Sequence, residues 1–197
     1  MKKVLSIIAL LIGFSSTAQN FEAGLMGGLT MSQITGDNLG GFDKPGARIG
    51  AYLSYPIKRN VNFDVGMQYV QKGSRGSNGE MGTLNYYMDM KYIELPFTLN
   101  YAFKNGLIIE SGIGPGILIS YQEEITGHLI NGNAPNTFAL DFLCGLQYQF
   151  LNNLKFNLRY GNSIIPIRKE DVKTALEKNR DLYSSMVSLA LIYQISR

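Results

Sequence analysis

Seven charged residues stand at alternate positions inside otherwise apolar stretches: Arg48, Asp64, Glu94, Glu110, Asp141, Lys155 and Arg159. Four acids and three bases sharing one interior persist only if they pair and hydrogen-bond, because a lone buried charge is strongly disfavoured. Their first chemistry is therefore mutual neutralisation, and a proton path or gated channel is the sharper alternative. His128 is the sole histidine, with Ser120, Glu123 and Glu124 close in sequence. A nucleophile, base and acid must converge in space, and adjacency along a loop does not achieve that. Gly112-Ile113-Gly114-Pro115-Gly116 lacks the following helix whose N-terminus would hold a phosphate. Asp37 and Asn38 do not complete the oxygen ligands of a calcium site. With Cys144 alone, neither an intrachain disulfide nor a cysteine-ligated zinc is possible. No catalytic, cofactor-binding or metal-ligating residue is assigned.

The elements that position these residues show a period of two. Val61, Phe63, Val65, Met67 and Tyr69 alternate with Asn62, Asp64, Gly66 and Gln68, which gives a strand two unlike faces. Eight such segments can be marked, at 20–33, 45–57, 61–72, 87–101, 107–121, 137–150, 154–165 and 183–196. Each has the length a tilted strand needs to cross a bilayer. Tight turns at 58–60, 102–106 and 151–153 alternate with long polar loops at 34–44, 73–86, 122–136 and 166–182, the asymmetry of an outer-membrane barrel with periplasmic short turns. Apolar faces include Ala47-Ile49-Ala51-Leu53-Tyr55, Ile93-Leu95-Phe97-Leu99-Tyr101, Phe138 to Phe150 and Val187 to Ile195 at alternate positions. A soluble sandwich would interrupt such faces with polar residues.

Lys2 and Lys3, the apolar run from Val4 to Phe14, and Ser16-Thr17-Ala18 compose an export signal over 1–18, so a mature chain from Gln19 is expected. Removing the two lysines takes the formal charge from +3 to +1, which gives no attraction to nucleic acid. The composition, 45% hydrophobic and 17% charged, is too apolar for disorder. The expectation is all-β: residues 19–197 as one eight-stranded antiparallel transmembrane barrel of the outer membrane, in contact with its lipid. An eight-stranded lumen is only wide enough for side chains to fill it, so it should be occluded. Within it, Arg159 is expected to reach Glu94 from the opposite wall. Ile167 to Asp181 is the one stretch of helical character, with Val172, Ala175 and Leu176 on or beside one face.

Several motifs carry a family likeness. Gly27-Gly28-Leu29-Thr30 with Thr35-Gly36-Asp37, the strand from Gly46 to Pro56, Met67 to Gly73, Lys91-Tyr92-Ile93-Glu94-Leu95-Pro96-Phe97 and Lys178-Asn179-Arg180 together resemble the PorT-like outer-membrane β-barrel domain of Bacteroidota. The Tyr92, Glu94, Pro96 element is the most specific part. The resemblance implies an integral barrel of about eight strands, type IX secretion and gliding being the founding member's apparatus, and the leading expectation is a non-enzymatic anchoring or assembly component of an envelope machine. The competing readings are a surface barrel whose loops bind host, ligand or neighbouring proteins, and a lipid-modifying enzyme.

Overall fold

The computed structural model describes residues 21–36, 40–78, 84–129, 134–169 and 181–195. The export signal, the Asp37-Asn38 pair and most of the stretch of helical character lie outside these residues. Among the described residues eleven strands follow in order: β1 (Glu22–Thr35), β2 (Lys44–Lys58), β3 (Val61–Asn78), β4 (Leu84–Glu94), β5 (Phe97–Ala102), β6 (Leu107–Ile125), β7 (His128–Leu129), β8 (Phe138–Leu151), β9 (Leu154–Ser163), β10 (Arg168–Lys169) and β11 (Asp181–Gln194). All pairings are antiparallel, and β4 with β5 forms a single wall strand between β3 and β6. The order β1-β2-β3-β4/β5-β6-β8-β9-β11 returns to its start, because β11 pairs with β1 from Gly24↔Gln194 to Thr35↔Tyr183. Eight walls thus close into a barrel with no free main edge.

The alternation decides which side chains face outward. Leu29 and Ile49 are 72% and 60% exposed, whereas their neighbours Thr30 and Arg48 are fully buried. An exposed apolar wall around a polar interior inverts the usual soluble arrangement and suits lipid outside. Near the short turns this wall ends in aromatics: Phe21 meets Tyr55 at 5.2 Å, Tyr101 meets Phe103 at 4.9 Å and Phe150 meets Phe156 at 4.7 Å between ring centroids. In the β5–β6 turn, Gly106 adopts φ +84°, which a side chain would resist.

The walls depart from simple alternation and from the expected bounds at five places. The segment 87–101 is broken at Leu95-Pro96, where proline supplies no N–H; its carbonyl still accepts from Gly66 N at 2.8 Å, and Leu95 N donates to the Pro115 carbonyl at 2.8 Å. Much of the loops expected at 73–86 and 122–136 is strand, since β3 runs to Asn78 and β6 to Ile125. A bulge in β6 lets Lys91 pair with Ser120 but Tyr92 with Leu118, so Ile119 is the extra residue and the inward positions switch from even to odd above it. Finally, Arg168 and Lys169 are extended and pair with Leu182 and Asp181, so the ends of the stretch 167–181 are not helical.

Candidate functional site

The structure places all seven charged residues of the dyad pattern on the inner face. Six of them, all but Asp64, are fully or nearly buried. Arg48 sends Nε to Gln68 Oε1 at 2.8 Å and Nη1 to Asn157 Oδ1 at 2.8 Å and Ser188 Oγ at 3.0 Å. It reaches its acids indirectly: Gln68 Nε2 donates to Glu94 Oε2 at 2.8 Å, and Asn157 Nδ2 donates to Glu110 Oε1 at 3.0 Å. Glu110 also accepts from Gln147 Nε2 at 2.7 Å and is gripped at two points by Arg159, Nε to Oε1 at 2.6 Å and Nη2 to Oε2 at 3.0 Å. Asp64 lies lower, hydrogen-bonded to Ser54 and within electrostatic reach of Lys155 and Arg159.

The expected Glu94–Arg159 contact is not the one formed. Glu94 pairs with Lys72, which also pairs with Asp141 and lies over the Tyr92 ring at 5.4 Å. Lys72 brings this network to four acids against four bases; the sequence hides it because it stands at the last position of the segment 61–72, next to a glycine that resembles a strand end. Arg159 takes Glu110 because the two lie in one row of the wall, Glu110↔Gly145↔Arg159, and the middle residue has no side chain. The motif residues divide the work. Tyr92 and Glu94 point inward, and Pro96 interrupts the ladder.

Apolar side chains fill the rest of the tube. Toward the short turns Met26, Tyr52 and Ile192 pack together; toward the long loops Val70, Met88, Met90, Tyr92, Met186, Leu182 and Ile167 do. Above the upper plug sits a second polar cluster that the alternation does not foretell. Arg168 on β10 binds Glu123 through Nη2–Oε2 at 2.8 Å and Nη1–Oε1 at 3.3 Å, Tyr86 donates to Glu123 Oε1 at 2.6 Å, and Tyr121 donates to its other oxygen. Burial pushes the Glu123 carboxyl up, but the hydrogen bonds from Arg168, Tyr121 and Tyr86 outweigh it and hold the group below the usual carboxylate range. Burial beside that carboxylate pushes the Tyr121 hydroxyl up to about 12. Beyond the cluster, a cleft of about 770 Å³ is lined by Asp43, Arg75, Gly76, Asn85, Tyr86, Tyr87, Glu124 and Gly127.

The fold has known counterparts. The family model described as "Outer membrane protein beta-barrel domain" matches residues 17–168, more than half of the chain. The chain belongs to that family. This outer-membrane barrel is also similar in fold to Neisserial surface protein A, at TM-score 0.58 and 11% identity over 88% of this chain and 97% of that one. Ail of Yersinia pestis, in complex with the heparin analogue sucrose octasulfate, matches at TM-score 0.54 and 13% identity over 89% of this chain and 99% of its own. Identities this low speak for the fold alone. Among curated proteins none matches the sequence.

As a member of this family the barrel is an integral outer-membrane protein in contact with lipid, and its short turns face the periplasm. The long-loop end, with the Glu123 cluster and the cleft, is then extracellular. On β6 of this barrel the outward face changes from Ile113, Ile117 and Ile119 to Ser120, Gln122 and Glu124, which marks the upper edge of the lipid band. His128 is exposed on β7, paired in register with Ile125, while Glu123 turns into the barrel and Glu124 away from it. The structure does not gather Ser120, Glu123, Glu124 and His128 into one site.

Proposed function

We propose that this outer-membrane barrel is non-enzymatic and non-conducting, and that it works by contact through its extracellular rim as an anchoring or assembly component of an envelope machine. One observation carries the reading. Side chains fill the lumen at every level, from Met26, Tyr52 and Ile192 through the charge network to the plug beneath Arg168, while the ladders of β3, β4 and β6 continue beyond the lipid band. A barrel built this way offers a rigid surface and no path. The resemblance of Lys91 to Phe97 to PorT-like domains of Bacteroidota supports type IX secretion and gliding as the machine, reached after export by a cleaved signal over 1–18. A second reading, in which the rim holds an external ligand, is favoured by the cleft beside Arg75 and Tyr87.

Two measurements test the main reading. Purified protein in planar bilayers is expected to show no sustained conductance, and stable multi-ion currents would overturn the closed pore. A photocrosslinking residue in place of Arg75, activated in living cells, is expected to capture a defined envelope protein. Capture of lipid alone would overturn the rim as the working surface.

A further inference from the structure

Three strands contribute to the extracellular cleft a row of side chains that neither pore closure nor anchoring requires. The registers Arg75↔Tyr87 and Tyr87↔Glu124 set a guanidinium, a phenol ring and a carboxylate side by side on one face of the β3–β4–β6 extension. Asn85 and Asp43 line the same cleft. Its volume, about 770 Å³, falls within the range of small-ligand sites.

The lining selects the chemistry of an occupant. No leucine, isoleucine, valine or phenylalanine is among the described lining residues, so an acyl chain or other apolar ligand would find little to bury against. Asp43 and Glu124 against Arg75 leave no excess of positive charge, which disfavours a phosphate or a polysulfated anion. What remains are polar donors and acceptors around an aromatic ring: a guanidinium fork, two carboxylates, a carboxamide and a phenol. Those groups match adjacent hydroxyls on a ring that also presents a C–H face to an aromatic plane.

The site is also held in place. Next to Tyr87, Tyr86 donates to Glu123, which Arg168 clamps from β10. Lys44, paired with Asp89, stands over the Tyr87 ring at 5.6 Å and fixes its setting. Gly127, with no atom within 4 Å of where a Cβ would stand, keeps one side of the cleft open. A wall set before binding loses less freedom when a ligand arrives.

We propose that this cleft binds an uncharged oligosaccharide, with Tyr87 as the stacking platform and Arg75, Asn85, Asp43 and Glu124 as the hydroxyl-reading groups. The proposal rests on the rim being the working surface of the barrel, and it names a ligand class for that surface. The test is binding of the full-length protein in detergent to an array of uncharged oligosaccharides, with sucrose octasulfate measured in parallel as a polyanionic comparator. Selective binding to uncharged members is expected, with affinity lowered about tenfold by Tyr87→Ala and also lowered by Arg75→Ala, an exposed position. Heat-modifiable mobility of both variants shows that they are folded. Absence of binding to any uncharged oligosaccharide, preference for sucrose octasulfate, or binding untouched by both substitutions would each overturn the site. If the array is blank while the crosslinker at position 75 still captures an envelope protein, the glycan site fails and the rim reading stands; if both are blank, both fail.

Discussion

Arg159 grips Glu110 across Gly145. The three residues form one row over β6, β8 and β9, and a Cβ on Gly145 would stand 2.6 Å from Glu110 Oε1 and 2.5 Å from the Leu158 carbonyl oxygen. The ion pair passes over the one inward position in that row that has no side chain, so the glycine is as much a part of the charge network as its two charged neighbours.

Gly145→Ala is therefore expected to force the wall or the pair to shift and to lower barrel stability by about 1 to 3 kcal/mol, the range for overfilling a packed interior. Gly27→Ala is the control, since nothing lies within 4 Å of where its Cβ would stand. Urea-dependent unfolding in detergent or lipid measures both. Equal losses would mean that the row does not depend on the missing side chain.

Arg159→Ala leaves Glu110 buried with its two-point partner gone. The expected cost is about 3 to 5 kcal/mol, against about 0 to 1 kcal/mol for Lys58→Ala at the exposed end of β2. The same unfolding assay reads the difference, and a small loss for Arg159→Ala would show that Gln147 and Asn157 alone satisfy Glu110.

The attachment of β10 should loosen in acid. Glu123 has its carboxyl held below its ordinary value of 4.5, so the folded state binds its proton more weakly than the unfolded chain does. Its contribution is full above that ordinary value and is lost as pH falls through the lower folded one. Protection of the Ile167 amide, which donates to the Leu182 carbonyl at 2.8 Å, is expected to fall over that acid window after correction for intrinsic exchange. In Glu123→Gln the protection should be lower at neutral pH and insensitive to acid. Protection unchanged by both acid and substitution would mean that the Arg168–Glu123 pair does not hold β10 in place.

His128→Ala is expected to leave the acyl composition of outer-membrane lipids unchanged, since the exposed β7 position stands apart from the inward Glu123. An altered lipid-acyl pattern, compared by mass spectrometry between the two strains, would turn the reading toward an enzyme.

Much of the architecture is legible in the sequence because lipid enforces the period of two along every wall. Ala47 to Tyr55 and Val187 to Ile195 each show their outward face without a polar interruption. The same alternation puts Arg48, Glu110 and Arg159 inside. It cannot pair them, since a partner depends on wall order and on which inward position is empty, and Gly145 is one glycine among 22 in the sequence. Nor can it reach Glu123: the extra residue at Ile119 inverts the parity of β6 above it, and strict alternation from Glu110 would send Gln122 and Glu124 inward instead. Lys72 escapes for a simpler reason, because it is the last residue of the segment 61–72 and Gly73 resembles a strand end even where the ladder continues.

The seam between β1 and β11 gives the interior a role during assembly. Arg48, on the far side of β1 from β11, donates to Ser188 across that seam and to Asn157 on β9, so these two bonds form only after the first and last walls have met. Closing one residue out of step would turn Ser188 outward and aim Leu189 or Val187 at the guanidinium. An arginine that keeps only its Gln68 bond and otherwise faces hydrocarbon inside the tube is costly enough to disfavour that closure. The charged centre therefore acts as a lock that only one alignment of the two chain ends can turn, and selects the correct seam before any partner meets the rim.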